Sequence, residues 1–184
     1  MHWPEELYTL AQHVLQDMHD RGLSLATAES CTGGMVSALL TEVPGASATF
    51  LGGWVTYSNA MKHAQLDVPD TLLAHRGAVS APVACAMAEG ARAHAGAHCS
   101  VAITGIAGPG GSIDSQGHTV KPAGLVYIAT ACHTDIHCEE HHFSGTRHAV
   151  RLASAQAALT QLTQHVRDAR TLNHPAASTT ACDN

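Results

Sequence analysis

The stretch from Leu23 to Leu40 constrains the fold most. Small and apolar residues, Leu23 to Ala28, run into the turn Glu29-Ser30-Cys31-Thr32-Gly33-Gly34, and a helical pattern leaves it from Met35. A short apolar run closed by turn residues reads as a buried strand. The helix after it is stopped near Val43 by Pro44-Gly45. Ser30 therefore falls at a strand-to-helix turn. The free N–H groups of a helix's first turn point outward and carry partial positive charge. That environment stabilises an oxyanion and suits a nucleophilic serine. The plainer alternative is that Ser30 or Thr32 only caps the helix, a position both residue types favour.

The remaining segments alternate in the same way. Leu7, Leu10, Ala11, Val14, Leu15 and Met18 share one face of a helix predicted from Pro4 to Gly22. Thr49 to Tyr57 reads as a strand broken by Gly52-Gly53, paired glycines that mark a bulge or a close approach to the backbone. Short helices follow at Asn59 to Leu66 and at Pro69 to His75. A longer one starts at Ser80, its expected cap, and runs to about His94 with Pro82 in its first turn. Cys99 to Ile103 is an apolar strand, followed by a Gly-rich stretch from Thr104 to Gly111 and a polar loop to about Pro122. Gly124 to Ala131 and Ile136 to Phe143 read as antiparallel strands about the His133-Thr134-Asp135 turn. A last helix spans Thr146 to about Arg170, with Leu152, Ala155, Leu159, Leu162 and Val166 on its buried face. An early β-α-β order with a late hairpin implies an α/β fold, a three-layer α/β sandwich with a mixed sheet, as a single domain over residues 1–171. Residues 172–184 have no periodicity and are expected to be a disordered tail.

Composition narrows the function. Hydrophobic residues are 45% but aromatics only 4%, so the core must be aliphatic and Ala-rich. A net charge of −6 argues against a nucleic-acid partner, which requires a basic face. No apolar run reaches the roughly 18 residues of a membrane span. The N-terminus lacks the basic and apolar parts of a signal peptide, and a cytoplasmic location is expected. Six cysteines without a CxxC pair read as small buried hydrophobes. The 15 histidines show no metal-ligand spacing and read as surface residues, so no metal is expected.

Three further groups carry possible chemistry. Lys62 is one of few lysines, five residues beyond Tyr57 at a strand end. A partly desolvated lysine loses proton affinity and can act as a base for a serine, although most lysines are solvated. The Thr104 to Gly111 loop can present N–H groups to a phosphate, yet it lacks the Gly-Lys-Ser/Thr ending of a P-loop. Arg147 opens a helix, where a cation does not help the helix dipole; a pull from a phosphate or carboxylate would explain it, and so would a plain surface position.

Four motifs in order, Thr27-Ala28-Glu29-Ser30-Cys31-Thr32-Gly33-Gly34, Gly53 to Lys62, Gly77-Ala78-Val79-Ser80 and Ala102 to Pro109, closely resemble the CinA C-terminal domain family. That family includes the stand-alone nicotinamide-nucleotide amidohydrolases. The resemblance implies hydrolysis of the carboxamide of nicotinamide mononucleotide to nicotinate mononucleotide and ammonia, with no cofactor and in a homodimer. It maps the serine nucleophile onto Ser30, the tyrosine and lysine onto Tyr57 and Lys62, the loop threonine onto Thr104 and a late arginine onto Arg147. Cys31, Thr32, Gly33, Gly34 and Gly105 are expected to line the substrate. Thr146 stands where the family usually has Asp. A non-catalytic nucleotide-binding or interaction module of the same fold is the alternative.

Overall fold

Alternation along one central strand divides the core. The computed structural model describes residues 3–113 and 119–172. In chain order the elements are α1 (Glu5–Asp20), β1 (Leu25–Glu29), α2 (Met35–Glu42), β2 (Phe50–Val55), α3 (Asn59–Leu66), α4 (Asp70–Arg76), α5 (Ala81–Ala95), β3 (Cys99–Gly105), β4 (Ser112–Ile113), β5 (Thr119–Lys121), β6 (Leu125–Cys132), β7 (Asp135–His142) and α6 (Arg147–Leu172). Successive strand residues face opposite sides of a sheet. Cys99, Val101 and Ile103 of β3 accordingly join the core beneath α1, α2 and α6, where Leu7, Val36, Leu39 and Leu159 are buried. Ala102 faces the other way, with Ala28 and Ala129, against Val83, Met87 and Ala88 of α5 and Leu66 and Leu73 of α3 and α4. Alanines on that sheet face admit α5 closely, which is how a chain poor in aromatics still fills its interior.

The five-stranded sheet runs β2-β1-β3-β6-β7. β1 pairs parallel with β2 and β3, while β3–β6 and β6–β7 are antiparallel. This is the expected α/β sandwich with a mixed sheet, and the late hairpin is the expected one. β4 and β5 form a separate two-stranded ribbon inside the segment read as a loop. Two or three residues per strand leave no alternation for a sequence pattern to show. The tail expected at residues 172–184 lies, beyond Leu172, outside the described residues.

Local chemistry differs from expectation at two helix starts. Ser80 does not cap α5: its hydroxyl donates backwards to the Gly77 carbonyl at 2.9 Å. Neither Ser30 nor Thr32 caps α2, whose N-cap is Gly34 at φ +87°. Thr146 does cap α6, accepting a hydrogen bond from the Ala149 N–H at 3.2 Å. Thr and Asp both fill that role, so the departure from the family's usual Asp keeps the helix start. Among the cysteines, Cys31, Cys99 and Cys132 are buried, as expected, whereas Cys85 and Cys138 are only half-buried; Cys182 lies outside the described residues. Among the described residues, one histidine is buried against the surface expectation. His165 is buried, with Nδ1 2.7 Å from Thr130 Oγ1 and Nε2 3.2 Å from Asp135.

Candidate active site

β1 ends at Glu29 and delivers Ser30 to the C-terminal edge of the sheet, where the Ser30 N–H donates to the Ile103 carbonyl of β3. Beside it β2 ends at Val55. Thr56 donates its N–H to the Glu29 carbonyl, and its own carbonyl then turns toward α3. Ser58 caps α3 by accepting from the Met61 N–H. That start places Lys62 one turn in, pointing back under the sheet edge. Lys62 is 1% exposed. Its Nζ lies 2.9 Å from Ser30 Oγ and donates to the Thr56 carbonyl at 2.7 Å.

A buried ammonium with one hydroxyl and one carbonyl has too little solvation to hold its proton firmly. Burial lowers the Lys62 pKa from 10.5 to about 8. With the proton gone, Nζ still donates to Thr56 and offers its lone pair to the Ser30 hydroxyl. The pair is then a nucleophile joined to its base at hydrogen-bond distance. Cys31, the neighbouring rival, is disfavoured by the same physics. Burial pushes its thiol up to about 11, so it holds no thiolate near neutrality.

The turn after Ser30 supplies donors. The Gly33 N–H closes back on the Ser30 carbonyl at 3.1 Å. The N–H groups of Cys31, Thr32 and Gly34 donate to no backbone carbonyl among the described residues, and those of Cys31 and Thr32 lie by the Cys31 sulfur. The hydroxyl oxygens of Thr32 and Thr56 are also buried and unpartnered. Buried polar groups normally have partners, and these two hydroxyls are exceptions. The helix itself contributes less than expected. Glu29, 0% exposed, accepts from the N–H groups of Val36 and Ser37 at 3.1 and 2.8 Å and from Ser37 Oγ at 2.8 Å. A carboxylate thus occupies the positive end of α2.

Tyr57 and Arg147 form a second, outer pair. Tyr57 is 64% exposed, and its hydroxyl accepts from Arg147 Nη2 at 3.0 Å rather than meeting Ser30 or Lys62. The Gly-rich loop reaches the same place: a Cβ on Gly108 would stand 2.9 Å from Arg147 Nη1. Thr104 and Gly105 are used differently. The Thr104 hydroxyl donates to the Ala78 carbonyl at 2.8 Å, and a Cβ on Gly105 would strike Val126 at 2.6 Å. Both tie the end of β3 to its neighbours.

A model of the CinA C-terminal domain matches residues 7–166. The chain belongs to the CinA C-terminal domain family. A CinA-like protein of Acidobacterium capsulatum is 47% identical over 151 residues, 82% of this chain and 35% of that protein. One of Parasynechococcus marenigrum is 53% identical over 123 residues, 67% of this chain and 28% of its own. The chain thus spans about a third of the length of the curated relatives it matches. A competence/damage inducible protein of Agrobacterium tumefaciens has a crystal structure that superposes with a TM-score of 0.82 at 38% identity, covering 89% of this chain and 98% of that one. A CinA-superfamily protein of Escherichia coli gives 0.82 at 32%, covering 90% and 94%.

Within this family fold, three positions escaped the sequence reading. Glu29 lay inside a recognised motif, but its partners at Val36 and Ser37 depend on the turn between them. Gly53 admits Thr27 and Ser37: a Cβ there would lie 2.0 Å from Thr27 Oγ1 and 2.7 Å from Ser37 Oγ. The paired glycines had signalled such a close approach without naming its partner. Arg151 gave no signal, being one more charge on a long helix. Among the described residues, no group of three His, Cys, Asp or Glu could hold a metal, and no helix is long and apolar enough to cross a membrane.

Proposed function

We propose that the chain hydrolyses the carboxamide of nicotinamide mononucleotide, giving nicotinate mononucleotide and ammonia through an acyl-serine intermediate. The observation that carries this reading is the buried Lys62 Nζ 2.9 Å from Ser30 Oγ. Neutral Lys62 takes the Ser30 proton as Oγ attacks the amide carbon. The oxyanion is met by N–H groups of the Cys31–Gly34 turn. The Lys62 ammonium returns the proton to the leaving nitrogen, and ammonia departs. Water then cleaves the ester by the same base. The Tyr57–Arg147 pair and the Gly108 loop, outside this centre, suit the ribose and phosphate. The substrate is a small molecule; the homodimer is part of the same proposal, and light scattering on the purified chain checks it.

The test is ammonia release from nicotinamide mononucleotide by the wild type, Ser30→Ala and Cys31→Ala. Turnover by the wild type and Cys31→Ala but not Ser30→Ala is expected. Binding without turnover would favour the non-catalytic module. Thr146 keeps that alternative open; its cap of α6 supports an unchanged start to the helix that carries Arg147, and the assay separates the two readings.

A further inference from the structure

We infer that Arg151 is a positioning residue that builds the oxyanion site of the Ser30 turn, an inference that rests on the serine chemistry proposed above. Arg151 lies on the first turns of α6, far along the chain, and directs both Nε (3.1 Å) and Nη2 at the Thr32 carbonyl. Among the described residues it makes no ion pair. A half-buried guanidinium devoted to a single backbone carbonyl is unusual, because carboxylates and phosphates match its fork better. What it gains is control of one peptide plane.

That plane is Thr32–Gly33. Its oxygen is held by Arg151 and its N–H by the Ser30 carbonyl, 3.1 Å away. Gly33 is in the left-handed region at φ +61°, and a Cβ on it would sit 3.5 Å from Arg151 Nη2. With the 32–33 peptide held at both its oxygen and its N–H, its plane and the course of the turn through Cys31 and Thr32 are fixed. The N–H groups of Cys31 and Thr32, which donate to no backbone carbonyl, keep their direction with it. Glu29 anchors the far side of the turn at α2. Without Arg151 the Thr32 carbonyl is free to rotate, and the donors lose their shared direction while Ser30 and Lys62 keep their contact.

The experiment uses two readouts on wild type, Arg151→Ala and Arg151→Lys, with Ser30→Ala as blank. The first is steady-state ammonia release. The second is the labelling rate of Ser30 by a fluorophosphonate, in which the Ser30 oxygen–phosphorus bond forms, fluoride leaves and Lys62 receives the hydroxyl proton. Labelling probes the oxyanion site without needing nicotinamide mononucleotide as substrate. For Arg151→Ala the expected loss is about tenfold to a hundredfold in both kcat and labelling rate, less than removal of a direct oxyanion donor. KM and the pH midpoint should stay unchanged, since Lys62 is untouched. Arg151→Lys, or millimolar guanidinium added to Arg151→Ala, should restore part of both rates. Wild-type labelling in folded Arg151→Ala overturns the inference, as does a KM effect with kcat unchanged. Should Arg151→Ala not fold, Arg151→Lys decides: a wild-type labelling rate overturns the inference and a reduced one supports it. If the wild type releases no ammonia but labelling still depends on Arg151, the substrate assignment fails and the positioning role stands.

Discussion

Replacing Lys62 by Met should abolish ammonia release and yet stabilise the fold at neutral pH. The lysine is 1% exposed, and burial lowers its pKa from 10.5 to about 8. Its charged form is therefore the disfavoured one in the folded state. Below pH 8 the amine is protonated in both states, and the fold carries the whole cost. Above about 10.5 it is neutral in both, and the cost is gone. At pH 7 that cost is about 3 kcal/mol, and about 2.5 kcal/mol of it is relieved between pH 7 and 10. Met keeps the length of the chain but leaves the Thr56 carbonyl without its donor, a loss of about 1 kcal/mol that does not vary with pH. The variant should thus lead by about 2 kcal/mol at pH 7 and fall level or slightly behind near pH 10.

Thermal unfolding by circular dichroism at pH 7, 8, 9 and 10 measures this directly. In a chain of this size about 2.5 kcal/mol corresponds to roughly 5–10 °C, so the Tm gap should close by that amount across the series. Titrating groups that do not feel Lys62 cancel in the difference; Cys31, whose thiol pKa the Lys62 charge lowers, contributes a smaller residual. Parallel Tm curves, or a gap that widens as pH rises, would refute the depressed lysine and with it the base.

The same amine predicts that kcat/KM rises about tenfold per pH unit below pH 8 and levels off above it; a flat profile from pH 6 to 10 removes Lys62 as base. Gly53→Ala drives a Cβ to within 2.0 Å of Thr27 Oγ1 and should cost about 1–3 kcal/mol in denaturant titration. Thr146→Ala should cost about 1 kcal/mol through loss of the α6 cap, while Thr146→Asp should leave stability within a few tenths of a kcal/mol of the wild type.

The layers of the fold were legible because each element carries its own period. Leu7, Ala11, Val14, Leu15 and Met18 repeat at helical spacing and are all buried on α1. The β6–β7 hairpin announced itself by two apolar strands about a short polar turn. Helix starts were harder, since Ser80 has the right chemistry for a cap but a closer acceptor in Gly77. Ser30 and Lys62 were legible as a pair only through their motifs. Thirty-two positions separate them, and what joins them is the parallel register that sets Glu29 opposite Val55.

What the sequence concealed is the source of the positive field at Ser30. A strand-to-helix turn suggests that the helix end itself faces the nucleophile. In the folded chain that end is already occupied: Glu29 takes the Val36 and Ser37 N–H groups with a buried carboxylate. A negative charge placed there cancels much of what the α2 dipole could lend an oxyanion. It also keeps a carboxylate one residue from the nucleophile without letting it become the base, because its oxygens are spent on backbone donors. For the proposed acyl-serine chemistry, the stabilising groups are then the N–H groups of Cys31, Thr32 and Gly34, since that of Gly33 is taken by the Ser30 carbonyl. In the arrangement inferred above, a carboxylate anchors one side of the turn and a guanidinium from α6 grips the other. The chemistry is local in sequence, but the geometry that makes it work is assembled from β1, α2 and α6 together.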